Sequence, residues 1–393
     1  MPYKLETKIL DVAAENIPLK QLILLTKGLE LESRVHVEEQ IRTFLETCKR
    51  ASSPQLLVIR GEWGEGKTAI YDFLICELKK SYNYEAYLIR MDKIIDALKI
   101  IASIWPNVLS KAKWLIAAIL YVIKGEERNI AYKSIQEYIV DGLRELRGKA
   151  DYIIFFIDEF EAIIPSQSKK IGNETIPDIV VRSLREIRGG EVKHLMEHSP
   201  FHIILAMTPY AYNEYIKRLG ITWRGWEERR KMVVDLYPLA RTDAHKVLER
   251  LTSTYLGVKN AFELIFPDKR IAHLLHTISQ GNLGALVYLC NYILMYSANI
   301  CKKTYKEDCL CKMNYDDILH SLRGLRVFTY IGSTKAIDEK IIDDIMDNIR
   351  NSVAEPILLS LFTKFIVTSS VFFEDELIHE YGEDYLEYIR KLN

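Results

Sequence analysis

The segment GEWGEGKT, residues 61–68, has the residue types and the spacing of a loop that binds nucleotide phosphates. Its glycines, among them Gly61 and Gly66, allow several backbone N–H groups to close around phosphate oxygens. The ammonium of Lys67 would neutralise the β- and γ-phosphates, and the hydroxyl of Thr68 would bind Mg²⁺. We therefore predict ATP and Mg²⁺ as the ligands of this loop.

The local context of the loop fits this prediction. An apolar run, residues 55–60, precedes it and indicates a buried strand, and residues 69–80 indicate a helix. A helix that begins near Lys67 points its positive end at the phosphates. The predicted cofactor-binding residues of the loop are Gly61, Glu62, Trp63, Gly64, Glu65, Gly66, Lys67, Thr68 and Ala69.

The apolar run of residues 151–158 ends in an acidic pair, Asp158 and the adjacent Glu159. At the end of a strand, Asp158 would hold Mg²⁺ through water, and Glu159 would polarise the attacking water. An acidic turn without a catalytic role is the alternative, and the phosphate loop upstream favours the catalytic pair. Glu161 is interpreted as an acid at the N-terminus of a helix.

Thr208 ends another apolar run, residues 202–208. We predict that it lies between the strand of the phosphate loop and the strand of Asp158. There its hydroxyl would hydrogen-bond the γ-phosphate or the attacking water. The alternative is a threonine that merely ends a strand.

Two sets of arginines are candidates for contacts with phosphate. Phosphoryl transfer gains from an arginine that neutralises transition-state charge, often one from a neighbouring subunit. Arg224 and Arg229 are the predicted catalytic arginines, and Arg230 lies beside them. A second set with helical spacing, which would contact DNA phosphates, is Arg182, Arg185 and Arg188. A solvated face is the alternative for both sets.

Five short apolar runs alternate with helical stretches, which is typical of a parallel sheet covered on both faces. The predicted strands are residues 55–60, 84–91, 151–158, 202–208 and 232–239. The predicted fold is α/β, a parallel five-stranded P-loop sheet flanked by helices, followed by an all-helical lid and a mostly helical C-terminal region. The predicted domains are an N-terminal helical segment (1–50), the ATPase core (51–239), the lid (240–330) and an acidic C-terminal region (331–393). Thr242 is the expected N-cap of the first lid helix.

Composition adds limits on partners. The chain of 393 residues has 53 Lys and Arg against 54 Asp and Glu, so its charge gives no overall nucleic-acid signal. The acidic tail, residues 338–393, favours contact with a protein over contact with DNA phosphates, or is simply solvated.

The apolar run of residues 114–123 is too short to span a membrane. We predict that it is a buried helix, in preference to a helix on a membrane surface. The start of the chain lacks the apolar core of a signal peptide, so we expect a cytoplasmic protein without a membrane partner.

Cys301, Cys309 and Cys311 form a cluster whose spacing matches no zinc pattern well. Unpaired thiols are the favoured interpretation, ahead of a disulfide, with a metal site last.

The order of these parts resembles the AAA+ superfamily of P-loop ATPases. GEWGEGKTAIYDFL, FFIDEFEAI and LYPLARTDAHKVL are similar to archaeal ATPases related to the origin-recognition initiator proteins, and to ATP-binding proteins of some phage-defence and transposition systems. The resemblance covers roughly residues 30–296. It implies that Arg34 begins the adenine-contacting segment. It also implies a lid helix at GNLGALVYL, where an arginine is expected near Gly284.

Two functions follow from these patterns. The first is an AAA+-type ATPase that hydrolyses ATP with Mg²⁺, slowly or with help from a partner, and so drives assembly or DNA-linked switching. Its catalytic residues would be Lys67, Glu159, Thr208, Arg224 and Arg229. The second is a nucleotide-gated signalling switch (STAND-like) that binds a protein partner with little turnover. A homo-oligomer or a protein partner is expected in either case.

Overall fold

The structure is a computed structural model. It describes residues 3–4, 31–62, 64–81, 84–125, 134–147, 151–166, 169–196, 200–219, 233–279, 281–305 and 309–323. Trp63, Arg224, Arg229, Arg230 and the acidic C-terminal region, all named above, lie outside these ranges.

The strands are β1 (Tyr3–Lys4), β2 (Leu56–Arg60), β3 (Tyr84–Arg90), β4 (Tyr152–Asp158), β5 (Lys170–Ile171), β6 (Glu174–Thr175), β7 (Phe201–Met207), β8 (Val233–Asp235) and β9 (Cys309–Leu310). The α-helices are α1 (Val35–Lys49), α2 (Lys67–Ser81), α3 (Met91–Ile104), α4 (Lys111–Lys124), α5 (Ile135–Arg147), α6 (Ile176–Gly189), α7 (Lys193–Met196), α8 (Pro209–Leu219), α9 (Arg241–Leu256), α10 (Ala261–Ile265), α11 (Arg270–Ser279), α12 (Leu283–Tyr305) and α13 (Tyr315–Arg323). Two 3-10 helices span Glu32–Arg34 and Phe160–Ser166.

The chain divides into two compact units, which are described separately. One, the core unit, comprises His36–Glu62 and Lys67–Leu236. The other, the helical unit, comprises Met1–Val35, Trp63–Gly66 and Tyr237–Asn393. The middle of the phosphate loop, Trp63–Gly66, thus belongs to the helical unit. The domain limits expected from the sequence remain a prediction.

The core unit contains a five-stranded sheet in the order β3-β4-β7-β2-β8, and every pair is parallel. The predicted α/β fold and its five strands are confirmed. All seven residues of β7 are buried, as expected for a central strand covered on both faces. Because β7 lies between β2 and β4, residues that follow these three strands gather at one edge of the sheet.

Apolar helices cover this sheet. In α1, Val37, Ile41, Phe44 and Leu45 are buried at the helical spacing predicted from the sequence. In α4, the run from Trp114 to Leu120 is buried, which agrees with the interpretation of this segment as an interior helix.

Close packing and a carboxylate fix α4 within the core unit. A Cβ on Gly142 of α5 would lie 2.9 Å from Cδ1 of Leu120, so a larger residue there would require the Leu120 side chain to shift. The carboxylate of Glu186 accepts the backbone N–H of Ala112 at 2.8 Å and so caps the start of α4.

The helical unit has its own apolar core. It includes Leu251, Phe262, Leu286 and Ile293 from the helices, together with Leu31, which lies just before the 3-10 helix Glu32–Arg34. The prediction that Thr242 is the N-cap of α9 is wrong. The N-cap is Ala240, whose carbonyl accepts the N–H of Ala244 at 2.9 Å, because the helix begins earlier than the sequence indicated.

The first residues of α9 include an acid with a structural role. Asp243 accepts the backbone N–H groups of Glu32 at 2.9 Å and Ser33 at 2.7 Å. Burial raises the pKa of Asp243, but the hydrogen bonds from Ser33 and Glu32 outweigh it and leave the pKa lowered. The segment that carries Arg34 is therefore attached to α9.

The cysteine cluster differs from expectation. Cys301 is completely buried and disulfide-bonded, so the preference for unpaired thiols was wrong at this position. Cys311 has a free thiol, and the side chain of Cys309 lies outside the described residues. The spacing of the three cysteines alone did not indicate this bond. Among the described residues no group of three metal-ligating side chains occurs.

Within the described part of the chain, only α12 is long and apolar enough to cross a membrane, with a mean hydropathy of 1.4 over its most apolar window. Since 61% of that window is buried inside the protein, the helix has the character of a core helix.

Candidate nucleotide-binding site

The phosphate loop begins where β2 ends. The N–H of Gly61 donates to the carbonyl of Met207 at 3.1 Å, which continues the pairing of β2 with β7 into the loop. The ammonium of Lys67 donates to the carbonyls of Gly61 at 2.7 Å and Glu62 at 3.0 Å. Lys67 is the first residue of α2 and is only 7% exposed. The positive charge of Lys67 therefore lies beside the first two residues of the loop.

The predicted metal ligands are in direct contact. The hydroxyl Oγ1 of Thr68 donates to Oδ2 of Asp158 at 2.5 Å. The other carboxylate oxygen, Oδ1, accepts the N–H of Glu159 at 2.9 Å, which fixes the orientation of the carboxylate. A hydroxyl and a carboxylate are hard oxygen donors of the kind that Mg²⁺ prefers, so these residues fit that ion.

Glu159 is paired with an arginine that the sequence analysis did not single out. Its Oε2 lies 2.8 Å from Nη2 of Arg90, the last residue of β3. The register of the sheet explains the pairing, because Arg90 is directly opposite Asp158 in the β3–β4 ladder. Burial raises the pKa of Glu159, and the nearby Arg90 opposes the increase.

The backbone at Glu159 is unusual. Its φ of 54° lies in the left-handed region, which a glutamate rarely adopts. Such a conformation persists only where neighbouring contacts hold it, and it is common at functional sites.

The burial of Glu161 is a second feature that the sequence did not reveal. It lies in the first turn of the 3-10 helix after β4, as predicted for an N-terminal acid, but it is almost completely buried. Its Oε2 accepts the N–H of Thr208 at 3.3 Å, while Oε1 has no hydrogen-bond partner among the described residues. Burial raises the pKa of Glu161 to about 7, against the opposing field of Lys67. The apolar residues on both sides of Glu161 in the sequence were the one available signal.

Thr208 lies at the carboxyl end of the central strand, as predicted, and its side chain is buried. Its Oγ1 accepts the N–H of Ala211 at 3.2 Å and so caps α8. A simple structural role for this threonine is therefore present, and a role toward phosphate remains a prediction.

Arg60, just before the loop, forms a bidentate ion pair that sequence analysis missed. Its Nε and Nη2 donate to the two carboxylate oxygens of Asp235 at 2.7 and 2.8 Å. Its guanidinium also lies over the ring of Tyr212, 4.3 Å from the centroid. These contacts attach the residue that precedes Gly61 to β8 and α8.

The middle of the loop lies in the helical unit. Gly64 and Gly66 have φ values of 79° and 92°, which glycine adopts without strain. Arg34 is buried and donates to the carbonyl of Glu65 at 2.8 Å and to that of Tyr237 at 2.5 Å. The sequence resemblance placed Arg34 at the adenine. That contact remains a prediction, and the observed acceptors of Arg34 are backbone carbonyls.

Of the three arginines proposed to contact DNA, Arg182 is held by ion pairs within the protein. Arg182 pairs with Glu186 at 3.0 Å and with Glu174 at 3.3 Å. Arg185 is exposed, and the side chain of Arg188 lies outside the described residues.

Comparison with known proteins gives a distant likeness. No profile of a protein family matches the sequence, and no functionally curated protein matches it. The chain is similar to the solved structure of Cdc6p from Pyrobaculum aerophilum, with 14% identity, 95% of this chain and 89% of that chain covered, and a TM-score of 0.46. It is also similar to the Aeropyrum pernix ORC2 protein, solved as ADPNP–ADP complexes, with 13% identity, coverage of 94% and 89%, and a TM-score of 0.45.

A third similar structure is domain III of the Thermotoga maritima replication initiation protein DnaA. It has 13% identity and a TM-score of 0.38, with 72% of this chain and 89% of that chain covered. Because the identities and TM-scores are low, the function is inferred from this chain's own residues.

Proposed function

We propose that the chain binds ATP with Mg²⁺ and hydrolyses it as an AAA+-type ATPase, and that the cycle drives assembly or DNA-linked switching. The observation that carries this proposal is the contact between Thr68 and Asp158, which unites the loop and the strand end predicted separately from the sequence. Lys67 provides a cation beside the same loop. A phosphate cradle, a metal-ligand pair and a neighbouring carboxylate are the minimum set for phosphoryl transfer to water.

In this proposal each side chain has one task. Lys67 exchanges its two carbonyl acceptors for phosphate oxygens, which it neutralises. Thr68 and Asp158 would hold Mg²⁺, which would act as a Lewis acid and stabilise the negative charge of the phosphates. Glu159 orients the attacking water and accepts its proton.

The ion pair of Arg90 and Glu159 supports slow or partner-dependent turnover. While Oε2 of Glu159 is bound to Arg90, that oxygen is not available to a water molecule. Both side chains are partly exposed, so the pair is weak enough to be broken by a change nearby. An arginine from a second copy, such as Arg224 or Arg229, would supply the remaining transition-state charge.

The same ion pair favours a second function, a nucleotide-gated signalling switch. In that case ATP binding alone would change the protein's contacts with a partner, and Glu159 would seldom act as a base. The two functions differ in turnover, in oligomer formation and in the response to DNA.

The test is ATP binding and ATP turnover of the full chain, measured with and without duplex DNA, together with gel filtration with and without ATP. Turnover stimulated by DNA, or an ATP-dependent increase in size, is the expected result for the ATPase. Tight ATP binding without turnover and without a change in size would support the switch instead. A chain that binds no ATP would refute both.

A further inference from the structure

Two consecutive carbonyl groups in the middle of the phosphate loop are bound by other parts of the helical unit. The carbonyl of Gly64 accepts the backbone N–H of Gly284, near the start of α12, at 2.8 Å. The next carbonyl, that of Glu65, accepts Nη2 of Arg34 at 2.8 Å. We call these two hydrogen bonds the carbonyl latch.

The latch determines where the amides of the loop point. In a planar trans peptide, the C=O and the following N–H point in opposite directions. Holding the carbonyls of Gly64 and Glu65 therefore directs the N–H groups of Glu65 and Gly66 away from Gly284 and Arg34. Successive N–H groups directed to one side form an anion-binding concavity.

Arg34 has an environment suited to this task. It is 8% exposed, and its other terminal nitrogen donates to the carbonyl of Tyr237. Burial lowers the pKa of Arg34, and the field of Glu65 and Asp243 opposes the decrease. A buried guanidinium is costly unless its donors are used, and its strongest hydrogen bonds go to backbone carbonyls.

A third residue restricts the loop sterically. A Cβ on Gly64 would lie 2.5 Å from Oδ1 of Asn282. Asn282 is itself fixed, because Oδ1 accepts the N–H of Ala285 at 2.9 Å and so caps α12. The loop thus lies against a rigid helix start.

We propose that Arg34 and the Gly284 amide are positioning groups that orient the Glu65 and Gly66 amides for binding a phosphate chain. This rests on the proposed function, in which the loop binds a triphosphate. It also gives Arg34 a role that does not involve the adenine base.

The experiment uses two variants and two ligands in titration calorimetry of the full chain. Arg34→Ala removes one hydrogen bond of the latch, and Gly284→Pro removes the other by deleting the N–H. Proline suits the second position of a helix, as Pro177 does in α6 of this chain. The ligands are ATP and inorganic tripolyphosphate, each with Mg²⁺.

Matched controls separate the latch from general effects. Arg42→Ala removes an arginine of α1 that pairs with Glu77 and Glu38 and lies over the ring of Phe73. Gly284→Ala adds a side chain but keeps the N–H. Thermal unfolding of each variant shows whether the fold is retained.

We expect both latch variants to bind ATP and tripolyphosphate at least about tenfold more weakly than the wild type, because each loses a hydrogen bond of a charged or buried group. The loss of affinity should be the same for the two ligands. Arg42→Ala should bind like the wild type, and Gly284→Ala, which keeps the N–H, should bind both ligands more tightly than Gly284→Pro. Unchanged affinity for tripolyphosphate would overturn the proposal, and a loss confined to ATP would assign Arg34 to the adenine. If the wild type bound neither ligand, the proposed function itself would fail.

Discussion

Glu159 and Arg90 form an ion pair of 2.8 Å between the ends of two neighbouring parallel strands. The pair joins the candidate general base to a residue that is 58% exposed in its side chain. An event at the surface of the protein can therefore reach the carboxylate of Glu159 through a single contact.

Breaking this pair should raise turnover. The substitution Arg90→Gln removes the ion pair and releases the carboxylate of Glu159. A partly exposed ion pair contributes about 1 kcal/mol at most. We therefore expect ATP turnover to increase by about two- to fivefold. Steady-state ATP hydrolysis measures it, and Arg144→Gln, which removes an exposed pair with Asp141, is the control. A decrease in turnover would mean that Arg90 assists the reaction.

Glu159→Gln should leave ATP affinity unchanged and lower turnover by about 100-fold or more, which is the usual contribution of a general base. The amide cannot accept the proton of the attacking water. Calorimetry and steady-state hydrolysis on the same preparation separate the two effects. Equal turnover in variant and wild type would assign the role of base to another group.

Lys67→Ala should weaken ATP binding by about 100-fold or more, because it deletes the cation nearest the loop. Lys99→Ala is a matched control, since Lys99 pairs with Asp96 on the surface of α3. Both variants are compared by titration with ATP and Mg²⁺. Normal ATP affinity in Lys67→Ala would refute the site.

Thr68→Ala should shift the Mg²⁺ concentration needed for ATP binding upward by about tenfold, since a hard oxygen ligand is lost. Thr68→Ser keeps the hydroxyl and should behave like the wild type. A titration of nucleotide affinity against Mg²⁺ tests both. Equal Mg²⁺ requirements in the alanine and serine variants would exclude the hydroxyl as a ligand.

Glu161 predicts a pH dependence of stability. Its pKa of about 7 in the folded state is higher than in the unfolded chain, so the folded state binds more protons between about pH 4.5 and 7. Stability from this group is present at acidic pH and is lost as the pH rises through that window, by an amount on the order of 3 kcal/mol.

Glu161→Gln should remove this dependence, because glutamine stays neutral and can still accept the N–H of Thr208. Denaturant unfolding at pH 5 and pH 8 measures the difference. The variant should be more stable than the wild type at pH 8 and similar to it at pH 5. Parallel pH profiles of the two proteins would contradict the assignment.

Sequence reasoning succeeded where the chemistry and the sheet reinforce each other. The contact of Thr68 with Asp158 could be predicted because both follow buried strands, whose carboxyl ends meet at one edge of a parallel sheet. The sequence could not identify Arg90, because a single arginine at the end of a strand has no spacing pattern. Only the register of the sheet places Arg90 beside Glu159. The burial of Glu161 and the carbonyl acceptors of Arg34 depend on tertiary packing, which no local pattern encodes.

The hydrogen bonds between Asp243 and Ser33 join residues 210 positions apart. At ordinary translation rates of roughly 5–20 residues per second, Ser33 is synthesised roughly 10 to 40 s before Asp243. The segment with Arg34 therefore lacks its contacts with α9 while the strands of the core unit are being made. Nascent chains of this protein would expose that segment to chaperones and proteases until α9 has been synthesised.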